Sequence, residues 1–462
     1  MKSTSEKIPG KVFAAIIATG IMSFSGVIVE TSMNIAFPTL MREFGISTNV
    51  VQWITSIYLL AISVVVPISA ALKSSFKTKS LFLAANLLFM IGLLTDALAP
   101  AFPVILLGRV IQGIGTGIAL PLMFNIIMEQ VPKSRVGMMM GVGNLITGIA
   151  PALGPTFGGI VVNTLGWRWI FYFLLPLLLI SLCLGRWGIE QKSVIRKVSI
   201  DKLSFTAIAV FFAGMIFGFS NLSTGQWQIV ASAIVIALIS LLALIWRSNL
   251  ITQPLLNLQL LLNHTFTAYA LGFFLIQLIS LGNAFLLSNY IQLVNGKTAL
   301  VAGLTVLPAG FAGAIMGPIG GTMLDKYGAR RPILAGVSLM AVEGLSFAIF
   351  ARHLSVVMIA FVYILYMGGM GMTLGNVMTA ALTHLQPGQV LQGNAILNTI
   401  QQFSGAVGTS LTSAIVAASQ AQMGSKGPLP TAIGTQHAYL FLLILNVIII
   451  GLFVKFAEGK KE

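Results

Sequence analysis

The chain has 462 residues, 57% of them hydrophobic and 8% charged, and a formal net charge of +15. A water-facing domain carries about 25% charged residues, so this composition excludes a soluble globular protein and makes lipid the solvent. The basic excess does not mark a nucleic-acid binder, because the lysines and arginines sit in short segments between apolar runs. One cysteine, Cys183, excludes an internal disulfide. The four histidines (His264, His353, His384 and His437) show no metal-ligand spacing, so neither metal nor cofactor is expected.

Runs of about 20 apolar residues predict membrane-spanning helices. They fall near 12–38, 51–72, 80–99, 103–128, 136–162, 169–187, 203–220, 227–246, 266–290, 298–323, 332–351, 355–383, 394–418 and 438–456, about fourteen in all. The first follows Lys2, Lys7 and Lys11; it is too long for a signal-peptide core and is expected to be retained. It carries Glu30 in GVIVETSMNIAFP, roughly 12 Å from Pro38 at helical rise, with Asn34 one turn on. Burial favours the neutral form of a carboxylate and a nearby cation favours the charged form. An acid under both influences can load and release a proton; a structural ion pair is the competing reading.

The fourth span carries Arg109 in LLGRVIQGIGTG, with Gln112 on the same face. An arginine at membrane depth costs at least about 2.5–3.5 kcal/mol and usually faces a partner or water; snorkelling to the surface is the alternative. Asp96 and Glu129 lie near span ends and are expected at the interface. The fifth span carries GIAPALGPTFGG, with Gly154, Pro155, Gly158 and Gly159. Small residues permit close helix approach and prolines bend the axis. After the tenth span, GTMLDKYGARR holds Asp325, Gly328, Arg330 and Arg331, a turn whose charges can tie neighbouring helix ends. Glu343 falls mid-span in the eleventh, where a carboxylate is a functional candidate. The thirteenth places Asn394, Asn398, Gln401 and Gln402 on a polar, small-residue face that packs helices, lines a cavity, or both. Trp53, Tyr58, Asn125 and Asn376 are further cavity candidates from position alone, and Asn34, Gln112 and Glu343 are counted with them. No nucleophile–base pair or phosphate-cradling loop is found, so no enzyme is expected.

With both termini inside, 20 basic residues fall in cytoplasmic segments and 5 in outer ones, leaving Arg109 within a span. This asymmetry predicts a multi-pass protein with both termini cytoplasmic. The loops also repeat. AALKSSFKTKSLFL follows the second span as GTMLDKYGARRPIL follows the tenth, and PKSRVGMMMGVGN follows the fourth as PGQVLQGNAILN follows the twelfth. Related halves around a midplane site are the usual design of secondary transporters. The expected fold is therefore all-α, with six-helix bundles over 1–190 and 265–462 and an inserted helix pair within 191–264.

These motifs together resemble the major facilitator superfamily, in its fourteen-helix drug:proton antiporter group. GRVIQGIGTG is similar to the family's fourth-helix arginine motif, GPTFGG to the antiporter signature of the fifth, and LGWRWIFYFLLP to the opening of the sixth. ETSMNIAFP resembles the first-helix acidic motif, with Glu30 where most of the group has aspartate. ETSMNIAFP, LPLMFNII and NTIQQFSGAVGTS are most similar to lincomycin-resistance-type multidrug efflux pumps. The resemblance implies proton-coupled export of amphiphilic, often cationic drugs by a monomer. It makes Glu30 the coupling acid and Arg109 its electrostatic partner. Gly154, Pro155, Gly158 and Gly159 would form the antiporter bend, with Asp325 and Arg330 in a cytoplasmic gate. A facilitator or an exporter of one endogenous amphiphile is the alternative. Two features depart from the pattern. Ser74 and Lys77 stand where the family's first-half loop has its acid and glycine, and Gln401 stands where many relatives have arginine.

Overall fold

The computed structural model describes residues 8–457 except 133–135, 193, 196–199, 223–224, 252–253, 387–388 and 425–426. Nine of the basic residues used for the orientation (Lys2, Lys7, Lys133, Arg135, Arg196, Lys197, Lys426, Lys460 and Lys461) lie outside the described residues.

Long helices account for nearly all the described chain, as lipid requires of segments that must satisfy their own backbone groups. In chain order they are α1 (Gly10–Phe44), α2 (Thr48–Ile68), α3 (Thr78–Ala97), α4 (Phe102–Gln130), α5 (Val136–Thr164), α6 (Trp169–Gly188), α7 (Lys202–Ser220) and α8 (Trp227–Leu250). They continue with α9 (His264–Val294), α10 (Ala299–Tyr327), α11 (Arg330–Phe350), α12 (Val356–Thr383), α13 (Val390–Gln422) and α14 (Pro428–Phe456). Among the described residues, twelve of these are long and apolar enough to cross a membrane. The other two, α5 and α13, run 29 and 33 residues. Helix α13 spends many positions on small or polar residues, whereas α5 is apolar along its length apart from its glycines, prolines and a few polar positions.

Helices α1 to α6 pack as one group and α9 to α14 as another. The groups meet along two seams, α5 against α10 and α2 against α13, and the α7–α8 hairpin leans on α2 and α13 from outside. Phe212 stacks on Phe403 of α13 with centroids 4.5 Å apart. Lys11 pairs with Glu190 at 2.9 Å where α1 begins and α6 has ended, which defines the termini end of the molecule. At the opposite, distal end Glu43 pairs with Arg168 at 2.8 Å.

Two local features correct the sequence reading. Pro38 does not end α1, which continues to Phe44. Proline supplies no N–H to the carbonyl four residues back, and the carbonyl of Asn34 instead accepts the Ser288 hydroxyl of α9 at 2.7 Å. Glu30 is consequently fourteen residues from the end of α1, roughly 21 Å at helical rise, and deeper than expected. Asp96, expected at the interface, is fully buried. Gly328 follows α10 at φ +79°, a conformation that favours glycine, and its N–H closes the helix on Leu324.

Candidate functional site

The first bundle builds a polar cluster from four helices. Gly26, one turn before Glu30, lets α2 approach α1 closely, and the Tyr58 hydroxyl fills the space. That hydroxyl donates to the carbonyl of Gly26 at 3.1 Å and lies 2.9 Å from Thr116 Oγ1. The Arg109 guanidinium lies over the Tyr58 ring, 4.1 Å from its centroid. Arg109 is fully buried, so it does not snorkel. Its Nε donates to the carbonyl of Ile54 at 3.0 Å and its Nη1 to Gln112 Oε1 at 2.7 Å. Gln112 Nε2 donates in turn to Asp96 Oδ2 at 2.7 Å. Glu30 is half-buried and close enough to feel the charge of Arg109, yet no salt bridge joins the two among the described residues.

A cavity of about 80 Å³ lies between the bundles, with Asn34, Pro155, Ser280, Ser288, Tyr363 and Met367 in its wall. Drug-sized sites run to about 300–1,000 Å³, so this state holds no room for a whole drug there. Of the expected cavity residues, only Asn34 lines it. Trp53 faces the hairpin, its ring 6.3 Å from Phe217. Asn376 donates to its own helix at Met372 and abuts Gly320 of α10. Asn398 donates to the Asn394 carbonyl at 2.9 Å. Asn125, Gln401 and Gln402 are half-buried on α4 and α13.

Glu343 is 1% exposed and stands behind the cavity. Its Oε1 accepts from Asn283 Nδ2 at 2.8 Å, and Asn283 Oδ1 accepts from the Tyr439 hydroxyl at 2.6 Å. Tyr363 and Tyr366 lie nearby, stacked at 5.4 Å. Spacing within α11 gives no sign of these partners, which come from α9, α12 and α14.

The glycines of α5 serve close approach. A Cβ on Gly154 or Gly158 would overlap α1 at Thr31 or Ser32, and one on Gly159 would overlap the backbone of α10 at Ala299. Ser32 donates to the Gly154 carbonyl at 2.7 Å, while Thr156, beside Pro155, donates to the Gly303 carbonyl at 3.0 Å. Asp325 and Arg330 are exposed at the α10–α11 turn. In the matching first-half turn Lys73 pairs with Glu129 of α4, so another helix supplies an acid that the loop lacks.

The profile of the Major Facilitator Superfamily matches residues 19–409. The chain is 34% identical to the lincomycin resistance protein LmrB of Bacillus subtilis (strain 168), over 96% of this chain and 95% of that one. It is 29% identical to a multidrug resistance protein B homolog of Mycobacterium tuberculosis (strain ATCC 25618 / H37Rv), over 84% and 73%. Among solved structures it resembles the xylose transporter XylE from E. coli in a partially occluded inward-open conformation. That likeness has a TM-score of 0.66 at 14% identity, over 98% of this chain and 99% of that one, and speaks to fold alone. This multi-pass membrane chain is a transporter rather than an enzyme, and it belongs to the major facilitator superfamily.

Proposed function

We propose that this protein exports lipophilic, often cationic drugs across the cytoplasmic membrane in exchange for protons, with both termini in the cytoplasm. The relatives named for lincomycin and multidrug resistance support the substrate class. The coupling rests on one observation: Glu30 lies within the field of a fully buried Arg109 but is not bonded to it. Burial and the cation pull its protonation in opposite directions, and the absence of a direct bond leaves the carboxylate able to change state.

Alternating access follows from the seams. Among the described residues, the hydrogen bonds between bundles gather in the distal half. Thr48 bonds Gln420, Ser410 bonds Gln52, Ser288 and Gln292 reach the α1 carbonyls of Asn34 and Ile35, and Thr156 reaches Gly303. With the termini inside, this state is closed to the exterior. Proton loading at Glu30 would bias the choice between it and the outward-open state.

The test is efflux of a panel of antibiotics and dyes with and without an uncoupler. Uphill export that stops when the proton gradient collapses supports exchange. Export that continues downhill at the same initial rate means a facilitator.

A further inference from the structure

Asp96 is a buried carboxylate that neither the family motifs nor the exchange scheme uses. It sits in the last turn of α3, fully buried, and contacts Arg109 only through one amide. The packing is shaped for it. Gly108 lies one residue before Arg109, and any Cβ there would overlap the Asp96 carboxylate; a Cβ on Gly92 would strike Gln112. These two glycines bring α3 and α4 together where the acid must reach Gln112.

We propose that Asp96 is a positioning residue that acts on Arg109 through Gln112 and keeps the guanidinium from closing onto Glu30. The proposal rests on proton exchange at Glu30 as set out above. The Asp96 carboxyl accepts from the Gln112 NH2, which sets that amide with its NH2 toward α3 and its oxygen toward Arg109. That oxygen holds Nη1 at 2.7 Å, and the Ile54 carbonyl holds Nε at 3.0 Å. Within the cluster, Arg109 Nη2 and Asp96 Oδ1 have no hydrogen-bond partner.

The charged and titratable groups of the cluster are Glu30 on α1, Tyr58 on α2, Asp96 on α3 and Arg109 on α4. Helix α6 packs on α3 through Ser181 and Asn86, and Arg168 beyond the end of α3 is paired with Glu43. With Asp96→Asn, the Gln112 amide is free to turn and Arg109 to close on Glu30, whose proton then needs a more acidic medium.

The experiment measures the pH midpoint of tetraphenylphosphonium exchange in proteoliposomes. Asp96→Asn is expected to move it to lower pH by about one unit, a tenfold change in proton concentration. Gln112→Ala should move it the same way, and the double variant no further, because both act along one path. If Asp96→Asn does not fold, Gln112→Ala decides alone, and an unmoved midpoint overturns the proposal. A pH-dependent parent with an unmoved Asp96→Asn midpoint, or additive shifts, overturns the positioning role and leaves exchange standing. A parent indifferent to pH overturns both.

Discussion

Glu30 in the first bundle lies half-buried beside a guanidinium, whereas Glu343 in the second lies sealed among Asn283 and three tyrosines, with no cation among the described residues acting on it. The two acids are equally conspicuous as carboxylates within apolar spans. Their surroundings differ in what they permit. A carboxylate near a cation has a reason to ionise and, when unbonded, a way to exchange its proton. A carboxylate with only neutral partners gains nothing from ionising in a dry interior, and its value lies in the hydrogen bonds it completes. The first environment suits coupling and the second suits architecture.

The harshest trial of this contrast is Glu30→Gln. The amide keeps the volume and loses the exchangeable proton. Expression should stay near that of the parent, while uphill export falls to the background of cells lacking the protein. Drug resistance equal to the parent's would end the coupling role. Next in size is Arg109→Ala. It removes the donors to Ile54 and Gln112, and a buried polar group left unsatisfied costs about 1–3 kcal/mol. Arg109→Lys restores charge but offers no planar fork to serve two acceptors while lying flat on Tyr58. It should therefore recover part of the export. Equal transport by the alanine variant and the parent would refute the cluster's importance.

The sequence and the structure part company here for identifiable reasons. Apolar runs locate the helices because lipid demands about 20 such residues per crossing, and the glycines of α5 announce close packing. Partners reached across helices are invisible to spacing. Pro38 reads as a stop until Ser288 of α9 takes up the carbonyl it frees. Asp96 reads as interfacial because it lies near the end of its span, yet Gly92 and Gly108 draw α3 against α4 and enclose it. Trp53 reads as a cavity residue, whereas the hairpin that claims its ring is an addition outside both bundles. The acid and arginine motifs were legible as types, but the Gln112 bridge between Arg109 and Asp96 was legible only in space.

The second acid sharpens the contrast through a pair of variants. Glu343→Gln keeps an oxygen for Asn283 to donate to, so uphill export should stay within about twofold of the parent, under about 0.5 kcal/mol in rate terms. Glu343→Leu leaves the Asn283 amide without its acceptor, and an unsatisfied buried donor costs about 1–3 kcal/mol. Thermal unfolding in detergent should separate the two variants. A Glu343→Gln variant that folds normally but cannot export uphill would make Glu343 a second coupling acid and erase the distinction between the bundles.

The smallest effect is expected at a half-buried ion pair outside both bundles, Asp201 with Arg247. Asp201 caps α7, its Oδ2 accepting from the Ser204 N–H at 2.9 Å. Arg247, in the last turn of α8, grips both of its oxygens, with Nη2 at 2.8 Å from Oδ1 and Nε at 3.2 Å from Oδ2. Arg247 first, and then Ser204, hold the Asp201 carboxyl below the usual carboxylate range. Because the folded state favours the ionised form, the contribution is complete above the ordinary aspartate value of about 3.9. It is lost only as pH falls through the depressed folded value. Between neutrality and pH 5 the hairpin should therefore keep its stability. Asp201→Ala removes a helix cap worth about 0.5–2 kcal/mol and a half-buried pair near the surface, where such pairs contribute about 0–1 kcal/mol. Faster amide exchange in the first turns of α7, with export unchanged, is the expected result. The hairpin touches the bundles through α2 and α13 and brings no charge to Glu30, so loosening its far end has no route to the coupling acid. Loss of uphill export in Asp201→Ala, with α2 and α13 still protected, would show that the hairpin takes part in the conformational cycle.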